Sequence, residues 1–138
     1  MLTAKNGIDF RRMRFLINRL PMAQFRLLKA KSQATRITPV LSDMPHGTAV
    51  SSPVENGYQL IEAAEEAVYV IRMELATMQE TLLKHFDPLK DPLEEQTMRM
   101  RYLEGRSVRE IAYSLNYSER RIFQVLNAAE RRVNETFH

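Results

Sequence analysis

The longest regular pattern in the chain is a run of apolar positions at Ile61, Ala64, Val68, Ile71, Leu75, Met78 and Leu82, which alternate by three and four residues. That period is helical, and a stripe sustained through three heptads suits an antiparallel hairpin or a coiled coil. It predicts a helix over residues 58–86, with Glu62, Glu65, Glu66, Glu74 and Glu80 on its wet side. The stripe needs a partner, either the N-terminal helices or a second subunit. Upstream, Phe10, Met13, Ile17 and Leu20 recur at 3-4-3 spacing behind Asp9, which is placed to cap a helix. Pro21 interrupts that pattern, so a separate segment is expected from Met22 to Gln33 with Phe25 and Leu28 facing inward. Pro39, Pro45, Gly47 and Pro53 among Ser and Thr predict a loop over 38–57. Asp87-Pro88-Leu89-Lys90-Asp91-Pro92 ends the long helix, and the domain boundary is expected there.

The last third has a different texture: two short helix signals abut across a tight turn. Ser107 can cap the first through its hydroxyl, and Glu110, three residues on, completes a capping box. Ile111 and Leu115 form an apolar pair one turn apart, while Ala112 is small enough to let a second helix cross close by. Asn116 falls where the turn requires a left-handed backbone, which Asn tolerates better than most residues. Ser118 then caps the second helix, whose inward face is Ile122, Val125 and Ala129. Phe123 and Leu126 widen that face, and packing within the chain is expected for them, with a subunit contact or partial exposure as the alternatives. Glu119, Arg120 and Arg121 lie on the exposed first turn. This is the sequence shape of a helix-turn-helix that sets its second helix in the major groove of DNA.

Residue by residue, Glu94 to Val133 resembles the fourth domain of bacterial primary sigma factors. Glu94-Glu95-Gln96-Thr97-Met98-Arg99-Met100-Arg101-Tyr102 is similar to that domain's Leu-Arg-Leu-Arg-Tyr helix. Ser107 to Ser118 resembles its Thr-Leu-Glu-Glu-Ile-Ala-Glu-Arg-Leu-Gly-Val-Ser segment, and Arg121-Ile122-Phe123-Gln124-Val125 resembles its Arg-Val-Arg-Gln-Ile recognition helix. The departures fall on the reading face. Ser118-Glu119-Arg120-Arg121 stands where sigma factors usually have Ser-Arg-Glu-Arg, Phe123 replaces an Arg and Leu126 a charged residue. The polymerase-binding and promoter-melting domains have no counterpart here. In layout, with Ser42-Asp43-Met44-Pro45 after a basic helix and then a long helix, the chain resembles small phage-encoded regulators of the RinA/ArpU type. That resemblance implies an N-terminal helical region followed by a sigma-like reader that activates late or packaging genes.

Charge sharpens the division. Residues 1–37 carry nine Lys and Arg against one acid, residues 38–92 three against nine, and residues 93–138 eight, all Arg, against seven. A basic beginning, an acidic middle and an Arg-tipped end follow, with the first two suited to pairing. The absence of Cys excludes disulfides and thiol metal sites and fits a reducing cytoplasm. No apolar run approaches the roughly 18 residues that span a membrane, and Lys5 and Arg11-Arg12 precede no apolar signal core. Neither a membrane partner nor secretion is expected. His46, His85 and His138 have no spacing with acids that suggests a metal site or triad, and the four Gly form no phosphate loop. No enzyme, cofactor or metal is expected.

The sequence therefore predicts an all-α chain in four parts. These are basic N-terminal helices (1–37), a Pro/Ser-rich loop (38–57), a long heptad helix (58–86) and a helix-turn-helix DNA-binding domain (92–138). The expected function is regulation of phage or prophage transcription in the cytoplasm of a bacterial host, with double-stranded DNA as partner. The N-terminal helices would form a homodimer or engage RNA polymerase. Base contacts are assigned to Glu119, Arg120, Arg121 and Gln124, and phosphate contacts to Arg99, Arg101, Arg106 and Ser118. Arg131 and Arg132 lie farther along and are assigned to solvent or DNA backbone. The alternatives are a small terminase subunit that packages DNA, or a sigma-like polymerase-binding protein without specific DNA binding.

Overall fold

The computed structural model describes residues 7–43 and 52–137, and every regular element among them is helical. Helix α1 spans Phe10–Asp43 and α2 spans Ser52–Lys84. A short α3, Pro92–Met98, runs into a π-helical turn over Arg99–Leu103, and α4 (Val108–Leu115) and α5 (Glu119–Asn134) follow. Among the described residues no helix is long and apolar enough to cross a membrane.

The long helices differ from the sequence expectation in their bounds. Pro21 does not end α1, although a proline inside a helix lacks one N–H and costs about 3 kcal/mol. The helical spacing of Leu20, Ala23, Leu27, Ala30 and Ala34 continues past it, and burial along that stripe offsets the lost bond. The loop expected over 38–57 is also shorter, since α1 reaches Asp43 and α2 begins at Ser52 rather than Tyr58. Pro53 sits in the first turn of α2, where its missing N–H would have had no partner. The rest of that expected loop, including Pro45 and Gly47, lies outside the described residues.

Contacts divide the chain within both long helices and not at Asp87–Pro92. Residues up to Ile17 group with those from Leu75 onward, and Asn18–Glu74 forms a second unit. The first unit is built around Tyr102, which is wholly buried. Its ring packs on Phe10 with centroids 4.9 Å apart, and its carbonyl accepts from Gln79 Nε2 at 2.9 Å. Its hydroxyl accepts from Arg14 Nη1 at 2.7 Å and donates to the Glu130 carboxylate. Burial pushes the Tyr102 phenol well above its ordinary range, and Glu130 reinforces the shift while Arg14 opposes it. One side chain of the π turn thus ties the start of α1 to the ends of α2 and α5.

Two further clasps close this unit. Asn134 near the end of α5 accepts from the Ile8 N–H at 2.7 Å and donates to the Ile8 carbonyl at 3.2 Å. Gly7 beside it has φ of +105°, and a Cβ there would stand 2.3 Å from the Asn134 side chain, so only glycine fits. Arg132 of α5 grips Glu94 of α3 through two parallel bonds of 3.1 and 3.0 Å.

In the second unit α1 and α2 run antiparallel, because Gly57 near the start of α2 abuts Ala34 and the shared groove leads back to Arg19 and Ile71. A Cβ on Gly57 would lie 3.4 Å from that of Ala34, so the helices approach closely here. Small residues make the seam: Ala23, Ala30 and Gly57 are buried, with Ala64 half-buried and Val68 the largest buried side chain. Phe25 and Leu28, expected inward, are instead 63% and 66% exposed. They lie off the stripe that Ala23, Leu27 and Ala30 define; helical phase decides the inward face, not side-chain size.

Candidate functional site

The α4–turn–α5 segment is fixed by its caps. Ser107 Oγ accepts from the Glu110 N–H at 3.1 Å, and the Ser107 N–H donates in turn to Glu110 Oε1 at 2.9 Å. Asn116 ends α4 with φ of 62° and ψ of 42°, the left-handed conformation that turns the chain in three residues. Ser118 Oγ then accepts from the Arg121 N–H at 3.0 Å. Ile111 and Ala112 of α4 are buried and Leu115 is half-buried, and α5 buries Ile122, Val125, Leu126, Ala129 and Val133. The two helices are thereby locked to one another, with the start of α5 facing solvent.

With that inward face set, the outward one follows from helical spacing. Arg120, Gln124, Asn127 and Arg131 recur at 4-3-4 intervals, all exposed, opposite the buried stripe. Arg121 is also exposed and lies on one flank of this row. Neither Arg120 nor Arg121 forms an ion pair with another described residue. Glu119 points elsewhere. It lines a shallow depression of about 760 Å³ on the outer side of α4, with Arg106, Arg109, Tyr113 and Tyr117. Of the four residues assigned to bases, Arg120 and Gln124 share the central row, Arg121 flanks it and Glu119 borders α4.

The residues assigned to phosphates are placed less uniformly. Arg99 pairs with Glu95 at 3.1 Å and lies over the Phe86 ring, 5.5 Å from its centroid. Arg106 pairs with Glu104 at 3.0 Å. Both pairs are exposed and of the kind worth at most about 1 kcal/mol, so a phosphate could replace either carboxylate. Arg101 is committed: Nη1 donates to the Arg106 carbonyl at 2.9 Å and Nε is buried without a partner. It shapes the exit from the π turn. Ser118 spends one lone pair on its cap, which leaves its hydroxyl hydrogen to donate outward.

Sequence reasoning missed Asn127 as part of the outward row, and Arg109 and Tyr113 in the depression on α4. The signal existed, since the 4-3-4 spacing follows once Leu126 is placed inward. Leu126 is buried, as its apolar character suggested, whereas Phe123 is half exposed on a cleft shared with Arg14, Arg101 and Leu126. Among the described residues no group of His, Asp and Glu could hold a metal ion. Comparison with protein-family models, curated proteins and solved structures finds no match to this chain.

Proposed function

We propose that the chain is a DNA-binding transcriptional regulator, of phage or prophage genes, that reads duplex DNA with α5. The observation that carries this reading is the row Arg120, Gln124, Asn127 and Arg131 on a helix capped by Ser118 and buried on its opposite face. Arg offers a bidentate fork to guanine, and Gln and Asn offer a paired donor and acceptor to adenine. A row with all three chemistries, flanked by Arg121, matches what base edges in a major groove present. Arg99, Arg106 and Arg109 supply cations on the preceding elements for phosphates, with the Ser118 hydroxyl beside the helix start. The likeness of Glu94–Val133 to the sigma-factor domain supports the same assignment, and the altered residues 119, 120, 123 and 126 point to a target other than an ordinary promoter element.

The test is selection by the full-length chain from a random-sequence duplex pool. Enrichment of a short motif, bound with an affinity that falls linearly in log salt, is the expected result. Failure to enrich any motif, with no salt-dependent duplex binding, overturns the reading in favour of a protein-binding module.

A further inference from the structure

The Asn18–Glu74 hairpin leaves much of its apolar surface uncovered. Beside the buried seam, α2 carries a second stripe, Leu60, Ala63, Ala67 and Val70, all exposed and again at 3-4-3 spacing. Leu60, Ala63 and Ala67 line one side of a groove of about 370 Å³, and Met22, Arg26 and Lys29 of α1 line the other. Leu60, Val70 and Met22 are each at least half exposed. A helix apolar on two adjoining faces is built for two neighbours, as in a bundle, and the hairpin supplies one.

Charge identifies the other. Between Asn18 and Ala34, α1 carries Arg19, Arg26, Lys29 and Lys31 and no acid, whereas α2 from Gly57 to Glu74 carries four Glu against Arg72. Glu66 directly precedes Ala67 and flanks the second stripe. Counting from the contact of Ala34 with Gly57, Arg26 lies eight residues back and Glu66 nine forward, so they stand at one level along the hairpin. We propose that the groove is covered by a second copy of this chain, in a two-fold pair where α1 of each copy lies antiparallel across α2 of the other. Arg26 of one copy then meets Glu66 of the other, twice, and the two apolar stripes close into a four-helix core. A foreign acidic helix would answer α1 but set like charge against Glu66 of α2. Self-pairing answers both. It stands independently of the DNA reading, although a paired reader would engage two half-sites.

The test is sedimentation of the full chain without DNA from about 1 to 100 μM, with circular dichroism to confirm unchanged helicity. Wild type is expected to dimerise, and Ala63→Lys, which places a cation in the stripe opposite a basic helix, to be monomeric. Arg26→Glu alone and Glu66→Arg alone should each weaken self-association by about tenfold or more, and mixing the two should restore dimers. A wild type monomeric throughout, a closed ring of more subunits, or charge variants that associate as wild type would each overturn the proposal. Monomers that bind an acidic amphipathic peptide in the groove would do so in favour of a foreign helix.

Discussion

The two compact units bury apolar surface on different principles. Among the described residues, the unit holding α3 to α5 buries twenty apolar side chains, several large and fully enclosed, such as Tyr102, Met98, Ile111 and Ile122. The hairpin buries three, two of them alanines, while eight of its large apolar side chains are exposed. The first gains stability from interlocked volume and from polar clasps at least partly shielded from water. The second gains it from close backbone approach along one seam, so its surface is free to carry pattern. A single sequence thus contains a region finished within the chain and a region finished, on the proposal above, by a copy of itself.

That contrast predicts unequal costs for truncating buried side chains in the two units. Ile111→Ala or Ile122→Ala should lose about 2–5 kcal/mol, because each leaves a cavity among fully buried neighbours. Val68→Ala in the hairpin should lose less, roughly 1–3 kcal/mol. Denaturant unfolding of the three variants checks this, and equal losses would break the comparison.

The Tyr102 clasp makes the first unit sensitive to alkali. Because the folded-state phenol is raised, it stays protonated while an unfolded tyrosine ionises near pH 10. Its contribution is therefore whole below about pH 10 and declines as pH rises from there toward the folded value, by at most about 1.4 kcal/mol per pH unit. Tyr102→Phe, less stable at neutral pH for want of its bonds to Arg14 and Glu130, should lack this share of the alkaline loss. Stability measured from about pH 8 to 11, a range that brackets the ordinary tyrosine value, separates them. Parallel curves would mean that the phenol is not desolvated.

Smaller effects sharpen the picture. Ser107→Ala should cost about 1 kcal/mol through the lost capping box. Asn116→Gly should be nearly neutral, since glycine accepts the left-handed turn freely. Phe25→Ser, on an exposed hairpin position, should change stability by no more than about 0.5 kcal/mol. A large loss there would show that the side chain is covered after all.

What was legible in the sequence follows the same division. The all-helical fold, the Ser107 and Ser118 caps and the Asn116 turn could be read because each is a local signal: a hydroxyl, a spacing, a tolerated backbone angle. The continuity of α1 through Pro21 could not, since it depends on distant burial outweighing one lost hydrogen bond. Phe25 and Leu28 misled because size suggested burial, whereas the seam runs on alanines. In the candidate site, the exposure of Arg120, Arg121 and Gln124 was readable from the cap. The commitment of Arg101 to the Arg106 carbonyl was not, because it arises from the π turn, which no residue type announces.

The central claim is that α5 reads bases while exposed cations on the preceding elements hold phosphates. The most direct measurement is a salt titration of variants on the selected duplex and on a scrambled one. Arg120→Ala or Gln124→Ala should lose about 1–3 kcal/mol on the selected duplex, little on the scrambled one, and relax preference at one base pair. Arg99→Ala or Arg106→Ala should weaken both duplexes alike and reduce the salt slope by about one unit per contact. If neither class alters binding on either duplex, α5 does not read DNA and the account of this surface is wrong.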